Sequence, residues 1–338
     1  MLLAQEIVSN DFRGRVRGRL GALVGGACFI LPGLTLILAL AAVFLSGTPP
    51  RWIRGAGAGA GAAVAAVAVH AGWGLVPDSW RRVRSHARWL AYAAAGGTAA
   101  ATVGPWLVLV LLGCGLVELA IGRSGRVDRS PLAALPLLVA RLGLYTQAQL
   151  RFVAATTVAT GGLPALVWVA LKVGALSYGG GFVIVPLMQA DAVDRYHWLT
   201  SGEFLNAVAL GQVTPGPVVQ TVAVVGYGAA GLGGGLLAAL VAFSPSFTFV
   251  LLGAGRFDRL RANPNAKAFL DGAGPAAIGA VLGTAVPLTS ALGEPWQYGI
   301  LAAAAALLFL LRRGVVLSLL AAGAVGVVIA LAGASLPG

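Results

Sequence analysis

The chain has 338 residues, of which 58% are hydrophobic and only 10% charged, with a mean hydropathy of +0.88. Soluble domains carry about 25% charged residues, so a soluble globular fold is excluded and a polytopic membrane protein is indicated. The net charge of +12 would point to nucleic acid in a soluble chain, but here the basic residues fall in short loops between apolar runs, as the positive-inside rule describes. No nucleic-acid partner is expected.

Residues 1–19 contain Glu6, Asp11 and arginines at 13, 15, 17 and 19 without an apolar core, which is not a cleavable signal. A first span follows over about 20–46 and includes GACFILPG, Gly26 to Gly33. The next, about 56–77, is entered through GAGAGAGAA, Gly55 to Ala63. Those glycines do not fit GxGxxG and no strand precedes them, which removes a phosphate loop. They do give GxxxG twice, Gly55 with Gly59 and Gly57 with Gly61, a pattern for close helix packing in membranes. After a loop with Arg81, Arg82, Arg84 and Arg88 come spans at about 89–103 and 104–121. Glu118, in the latter, reads as an end-of-span residue rather than a coupling carboxylate.

Residues 122–152 hold Arg123, Arg126, Arg129, Arg141 and Arg151 and form the basic linker between two halves. Spans then fall near 161–190, 231–253, 264–289, 297–312 and 315–334. The expected fold is therefore all-α and polytopic, with about nine spans. Cys28 and Cys114 lie inside apolar runs, and His70, His86 and His197 make no metal spacing, so neither a disulfide framework nor a metal is expected. With no nucleophile–base arrangement and no Walker motif, neither an enzyme nor a cofactor is expected.

The stretch from Leu171 to Tyr227 carries the chemistry. Two apolar segments are interrupted, one by Gly179, Gly180 and Gly181, the other by Pro215, Gly216 and Pro217. Proline removes a backbone donor and clashes one turn back, and glycine costs a helix about 1 kcal/mol. Unpaired backbone in hydrocarbon survives only beside protein or a wet cavity. Two such breaks carrying Lys172, Ser177, Asn206, Gln212, Thr214, Gln220 and Thr221 point to a transport site. Free N–H groups at a new helix start suit an anion. Lys172 either attracts that anion or snorkels to the surface. Glu203 reads as a cap, with gating or coupling as its functional alternative, and Asp191 reads as a loop charge.

The runs KVGALSYGGGF, WLTSGEFLNAVALGQVTPGPV, the GY that follows and SPSF (Ser244 to Phe247), with FLDGAGPAAIG (Phe269 to Gly279), together resemble the chromate transporter family. The resemblance covers Leu171 to about Gly283. It implies an inner-membrane protein of a bacterium that moves chromate, with the isosteric sulfate as a second substrate, and so confers chromate resistance. The oxyanion would be held by Lys172, Ser177, the glycine triplet and the residues around Pro215–Pro217, and driven by an ion or anion gradient. The rival readings are a same-fold transporter of another small solute, and a non-transporting remnant or one half of a two-chain complex; a homodimer is also open.

The two halves resemble each other. Aligning GGACFILPG with ALVAFSPSF (Ala239 to Phe247) pairs the spans of 1–121 with those of 153–338, an arrangement frequent in secondary transporters. Counterparts of Gly179–Gly181 and Pro215–Pro217 are missing from the first half, so the first repeat is expected to lack about two apolar segments. With the linker inside, charge counting places Asp191, Asp194, Glu203 and Glu294 outside. It returns the basic loops inside only if 203–228 dips in and comes back on the same side. The two repeats are then inverted.

Overall fold

The structure is a computed structural model that describes residues 18–45, 49–83, 85–102, 107–124, 162–177, 182, 184–253 and 263–337. The glycine triplet Gly179–Gly181, most of the basic linker and the loop arginines Arg256, Arg259 and Arg261 lie outside the described residues. Everything regular among the described residues is helical, so the chain is an all-α polytopic membrane protein.

Among the described residues twelve α-helices run in order: α1 (Gly18–Phe44), α2 (Arg51–Arg82), α3 (His86–Thr102), α4 (Leu107–Ser124), α5 (Leu163–Leu176), α6 (Ile184–Gln189), α7 (Ser201–Val213), α8 (Thr221–Gly253), α9 (Pro264–Gly283), α10 (Ala285–Ser290), α11 (Pro295–Ala305) and α12 (Val315–Leu331). A π turn, Ala190–Arg195, extends α6, and a second, Ala306–Leu310, extends α11. Leucine and valine side chains such as Leu240, Leu310 and Val328 remain exposed around the outside, as a lipid-facing surface requires.

The ends of the helices sort onto two sides. At the near end, Arg51 donates to the carbonyl of Ala334 (3.0 Å), Arg54 to that of Pro337 (3.3 Å), and Ser335 to Glu294 (2.6 Å). At the far end, Arg88 pairs with Glu118 at 3.0 Å, and Tyr92 donates to the same carboxylate at 2.9 Å. Glu118 thus sits in a local network with Arg88 and Tyr92.

The glycines of α2 serve two neighbours at once. A Cβ at Gly55 would stand 2.6 Å from the Gly326 carbonyl oxygen, and one at Gly59 2.9 Å from Gly326 Cα. On the other side, a Cβ at Gly57 would stand 2.8 Å from the Asn206 amide, and one at Gly61 3.1 Å from Leu205 Cβ. One GxxxG pair therefore seats α12 and the other seats α7, because side chains there would hold the backbones apart.

The longest helix among the described residues, α8, is two limbs. Ala230 (φ −153°, ψ 33°) and Gly231 (φ 62°) break it, and the second conformation suits glycine. A Cβ at Gly226 would lie 2.6 Å from Ala238 Cβ, and one at Gly235 2.9 Å from the Ala223 carbonyl oxygen. Residues twelve apart in one straight helix are about 18 Å apart, so 221–229 and 232–253 run antiparallel. The first limb also doubles back along α7. Gly211 faces Thr221 near the tip, and a Cβ at Gly228 would stand 3.2 Å from the Trp198 carbonyl oxygen at the start. The segment expected to dip and return does so.

The apolar segment over 161–190 is interrupted, the break expected of it from sequence. α5 stops at Leu176 and α6 starts at Ile184, while Lys172 and Asp191 form an ion pair. Nineteen residues of continuous helix would separate them by about 28 Å, so this segment is not one helix.

Candidate functional site

Local sequence builds the tip of the returning segment. Thr200 caps α7: its hydroxyl accepts the Glu203 N–H at 3.2 Å, and Glu203 accepts the Thr200 N–H at 2.7 Å. This reciprocal box satisfies two donors that a helix start leaves orphaned. Glu203 is therefore the capping-box partner of Thr200 in this structure. At the other end, Pro215 disfavours helical geometry in the residue before it, and Thr214 is extended (φ −73°, ψ 137°). Gly216 has φ +137°, and Pro217 is again extended before a short 3-10 turn, Val218–Gln220, leads into α8.

This tip meets α1. Gln220, 1% exposed, donates from Nε2 to the Ile30 carbonyl at 2.9 Å. A Cβ at Gly33 would lie 2.5 Å from Gln220 Oε1, and one at Gly216 2.8 Å from the same atom. That Oε1 is buried with no partner. Thr214 Oγ1 donates to Leu210 O at 2.9 Å and Thr221 Oγ1 to Val218 O at 2.8 Å, so both hydroxyls are engaged with their own helices. Gln212 Nε2, two residues before Thr214, is a buried donor without a partner. The first N–H groups of the helix that begins at Val218 have no intrahelical acceptors.

Of the sequence-predicted residues, Thr214, Pro215, Gly216, Pro217, Gln220 and Thr221 share this tip with Gln212 close by in sequence. Lys172, on α5, and Ser177, the residue that ends it, make up a second group. Lys172 pairs with Asp191 of the π turn, and Ser177 Oγ is buried without a partner. Asp191 is thus no loop charge: it is 2% exposed. Asn206 lies apart from both groups. Its amide rests against Gly57 and Gly61 and lines a cavity of about 380 Å³ at the near end, with Leu45, Arg54, Glu203 and Gln297.

Two contributors escaped the sequence. The first is α1, whose Ile30 carbonyl and Gly33 clearance complete the tip. GACFILPG was visible, but nothing in it fixed its partner. The second is Asp191, whose signal was its place one residue beyond the apolar end of IVPLMQA. Among the described residues no cluster of His, Cys, Asp or Glu could hold a metal ion.

A helical membrane protein whose interior holds a proline-broken hairpin, lined by backbone donors, amides and hydroxyls, has the build of a secondary transporter. Comparison with known proteins takes this further. A family model described as "Chromate transporter" matches residues 10–119 and 164–328. The chain belongs to the chromate transporter family. It is 30% identical to a chromate transport protein of Pseudomonas aeruginosa over 92% of this chain and 76% of that one. A probable chromate transport protein of Synechococcus elongatus is 28% identical over 80% of this chain and 67% of its own length. A chromate transport protein of Cupriavidus metallidurans is 44% identical across 35% of this chain and 29% of its own length. No solved structure matches the chain.

Proposed function

We propose that this protein is a secondary transporter of chromate, working as an oxyanion exporter of the bacterial inner membrane and accepting sulfate as an isosteric competitor. The carrying observation is the hairpin of α7 and 221–229, which brings a helix start, Gln220 and the Pro215–Pro217 backbone to its tip against Gly33 of α1. A helix start carries partial positive charge and unpaired N–H groups, the donor set for a tetrahedral anion. Gln212 Nε2 adds a neutral donor to the tip, while Lys172, in the second group on α5, is the cation of a separate station on the same pathway. Glu203 remains the coupling candidate only through its place beside the near-end cavity.

The two-repeat reading, 1–121 and 153–338 joined by the basic linker 122–152, draws support from the helix pairings. Exchanging α1 with α8, α2 with α9, α3 with α11 and α4 with α12 maps the contact of α2 with α12 onto that of α9 with α4. It also maps α2 with α11 onto α9 with α3. Each exchanged helix runs the opposite way through the bundle, as inverted repeats require. The far end, with Arg81, Arg82, Arg88, Lys267, Arg312 and Arg313, is the cytoplasmic one by the positive-inside rule.

The test is transport by the protein reconstituted in liposomes, with chromate, sulfate and an uncharged solute offered in parallel. Saturable chromate movement inhibited by sulfate is expected. Movement of the uncharged solute alone would assign the same fold to another substrate, and no movement of any solute would favour a non-transporting half.

A further inference from the structure

Lys172 and Asp191 hold the most deeply placed ion pair among the described residues. The Lys172 side chain is 13% exposed and that of Asp191 3%. The other ion pair between described residues, Arg88 with Glu118, lies at the far end and is tied down by Tyr92 as well. Lys172–Asp191 instead bridges two elements on either side of the interruption between Leu176 and Ile184. The acid stands on a π turn, a local widening that recurs at functional sites. Hydrogen-bonding capacity is left unspent on both elements: Ser177 Oγ (8% exposed) and Gln189 Oε1 are buried without partners. A brace has no use for an unengaged hydroxyl at the end of the helix that carries its lysine; a ligand has.

We propose that Asp191 is a resident counter-ion for Lys172, which the transported oxyanion displaces when it binds, so that the pair acts as a competitive gate. This rests on the oxyanion-transport reading above. A buried ammonium left without a counter-charge costs several kcal/mol, so an empty anion site built on Lys172 needs an acid of its own. A divalent oxyanion offers twice the charge of the carboxylate and can also accept from Ser177 Oγ, so it wins the exchange. A monovalent anion matches only what Asp191 already gives. The resident acid thereby selects for divalency as well as stabilising the empty site. The released carboxylate has a second partner available: Arg195 lies four residues on in the same π turn, exposed and over the Tyr196 ring, at a spacing that lets side chains meet.

Wild type, Asp191→Asn, Lys172→Gln, the neutral pair Lys172→Gln with Asp191→Asn, and the charge exchange Lys172→Asp with Asp191→Lys would be purified into lipid nanodiscs. Chromate binding would be measured at matched amounts of folded protein, and transport in liposomes. The gate predicts chromate binding about tenfold tighter in Asp191→Asn, with slower turnover and a weakened preference for divalent over monovalent anions. The neutral pair, in which no charge is buried, should fold yet bind no chromate, and the charge exchange should fold without transporting. Wild-type affinity in Asp191→Asn, or full transport by the charge exchange, would reduce the pair to a brace. Should Asp191→Asn not fold, chromate binding by the neutral pair would overturn the proposal by itself. A wild type that binds no divalent oxyanion would sink the transport reading and the gate together, whereas a wild type that binds chromate no less tightly than Asp191→Asn sinks the gate alone.

Discussion

Gly216 and Gly33 both close on one amide, that of Gln220. Gly216 holds φ +137° between two prolines, and both glycines approach Gln220 Oε1 more closely than any side chain permits. An alanine at 216 would meet strain of about 1–3 kcal/mol from the backbone together with a Cβ 2.8 Å from Gln220 Oε1. Gly216→Ala is therefore expected to lower the midpoint of thermal unfolding in detergent and to impair chromate transport. An unchanged midpoint would mean that the tip relaxes freely. At this scale the sequence marks which residues break a helix, because proline and glycine act through their own backbone. It does not mark partners. Lys172 stands out as a cation inside an apolar run, yet its counter-ion reads as a loop charge because pairing is decided by how the chain folds between them.

The returning segment is the element that places these residues. Its three limbs, α7, 221–229 and 232–253, pass the same level of the bundle in turn. The Pro-Gly-Pro break makes the first reversal and Gly231 the second. Replacing Pro215 and Pro217 by alanine should let α7 run on into 221–229, pairing backbone groups that now face the tip. Cysteines at Leu199 and Gly228 should cross-link in the parent protein and fail to do so in the double-alanine variant, which should insert normally but no longer move chromate. Persistent cross-linking with normal transport would make the break a packing feature only. The first reversal was legible, since charge counting required 203–228 to return. The second was not. Within GYGAAGLGGGLL many glycines could turn, and only contacts such as Gly226 with Ala238 single out the one that does.

For the molecule as a whole, sidedness is the property most exposed to experiment. Asp194, Glu203 and Glu294 gather at the near end and Lys267, Arg312 and Arg313 at the far end. In a background without Cys28 and Cys114, single cysteines at Asp194 and Gly293 should react with an impermeant thiol reagent added outside. One at Lys267 should not. Outside labelling at Lys267 would place both ends of α9 wrongly and undo the inverted-repeat reading. The all-α, polytopic character was legible because hydropathy acts locally. The side-by-side order of the helices was not, since α2 finds α12 and α7 through glycine faces that look alike in sequence.

The limb 221–229 has a consequence for how the chain is made. Nine helical residues reach about 14 Å, half of a hydrocarbon core of ~30 Å. Such a limb cannot lodge in the bilayer by itself, because its ends would leave backbone groups unpaired in lipid. It settles only when α7 is already beside it and 232–253 has been synthesised to close the other side. During translation, then, the fifty or so residues from Ser201 to Gly253 must be handed to the membrane as a single unit rather than helix by helix.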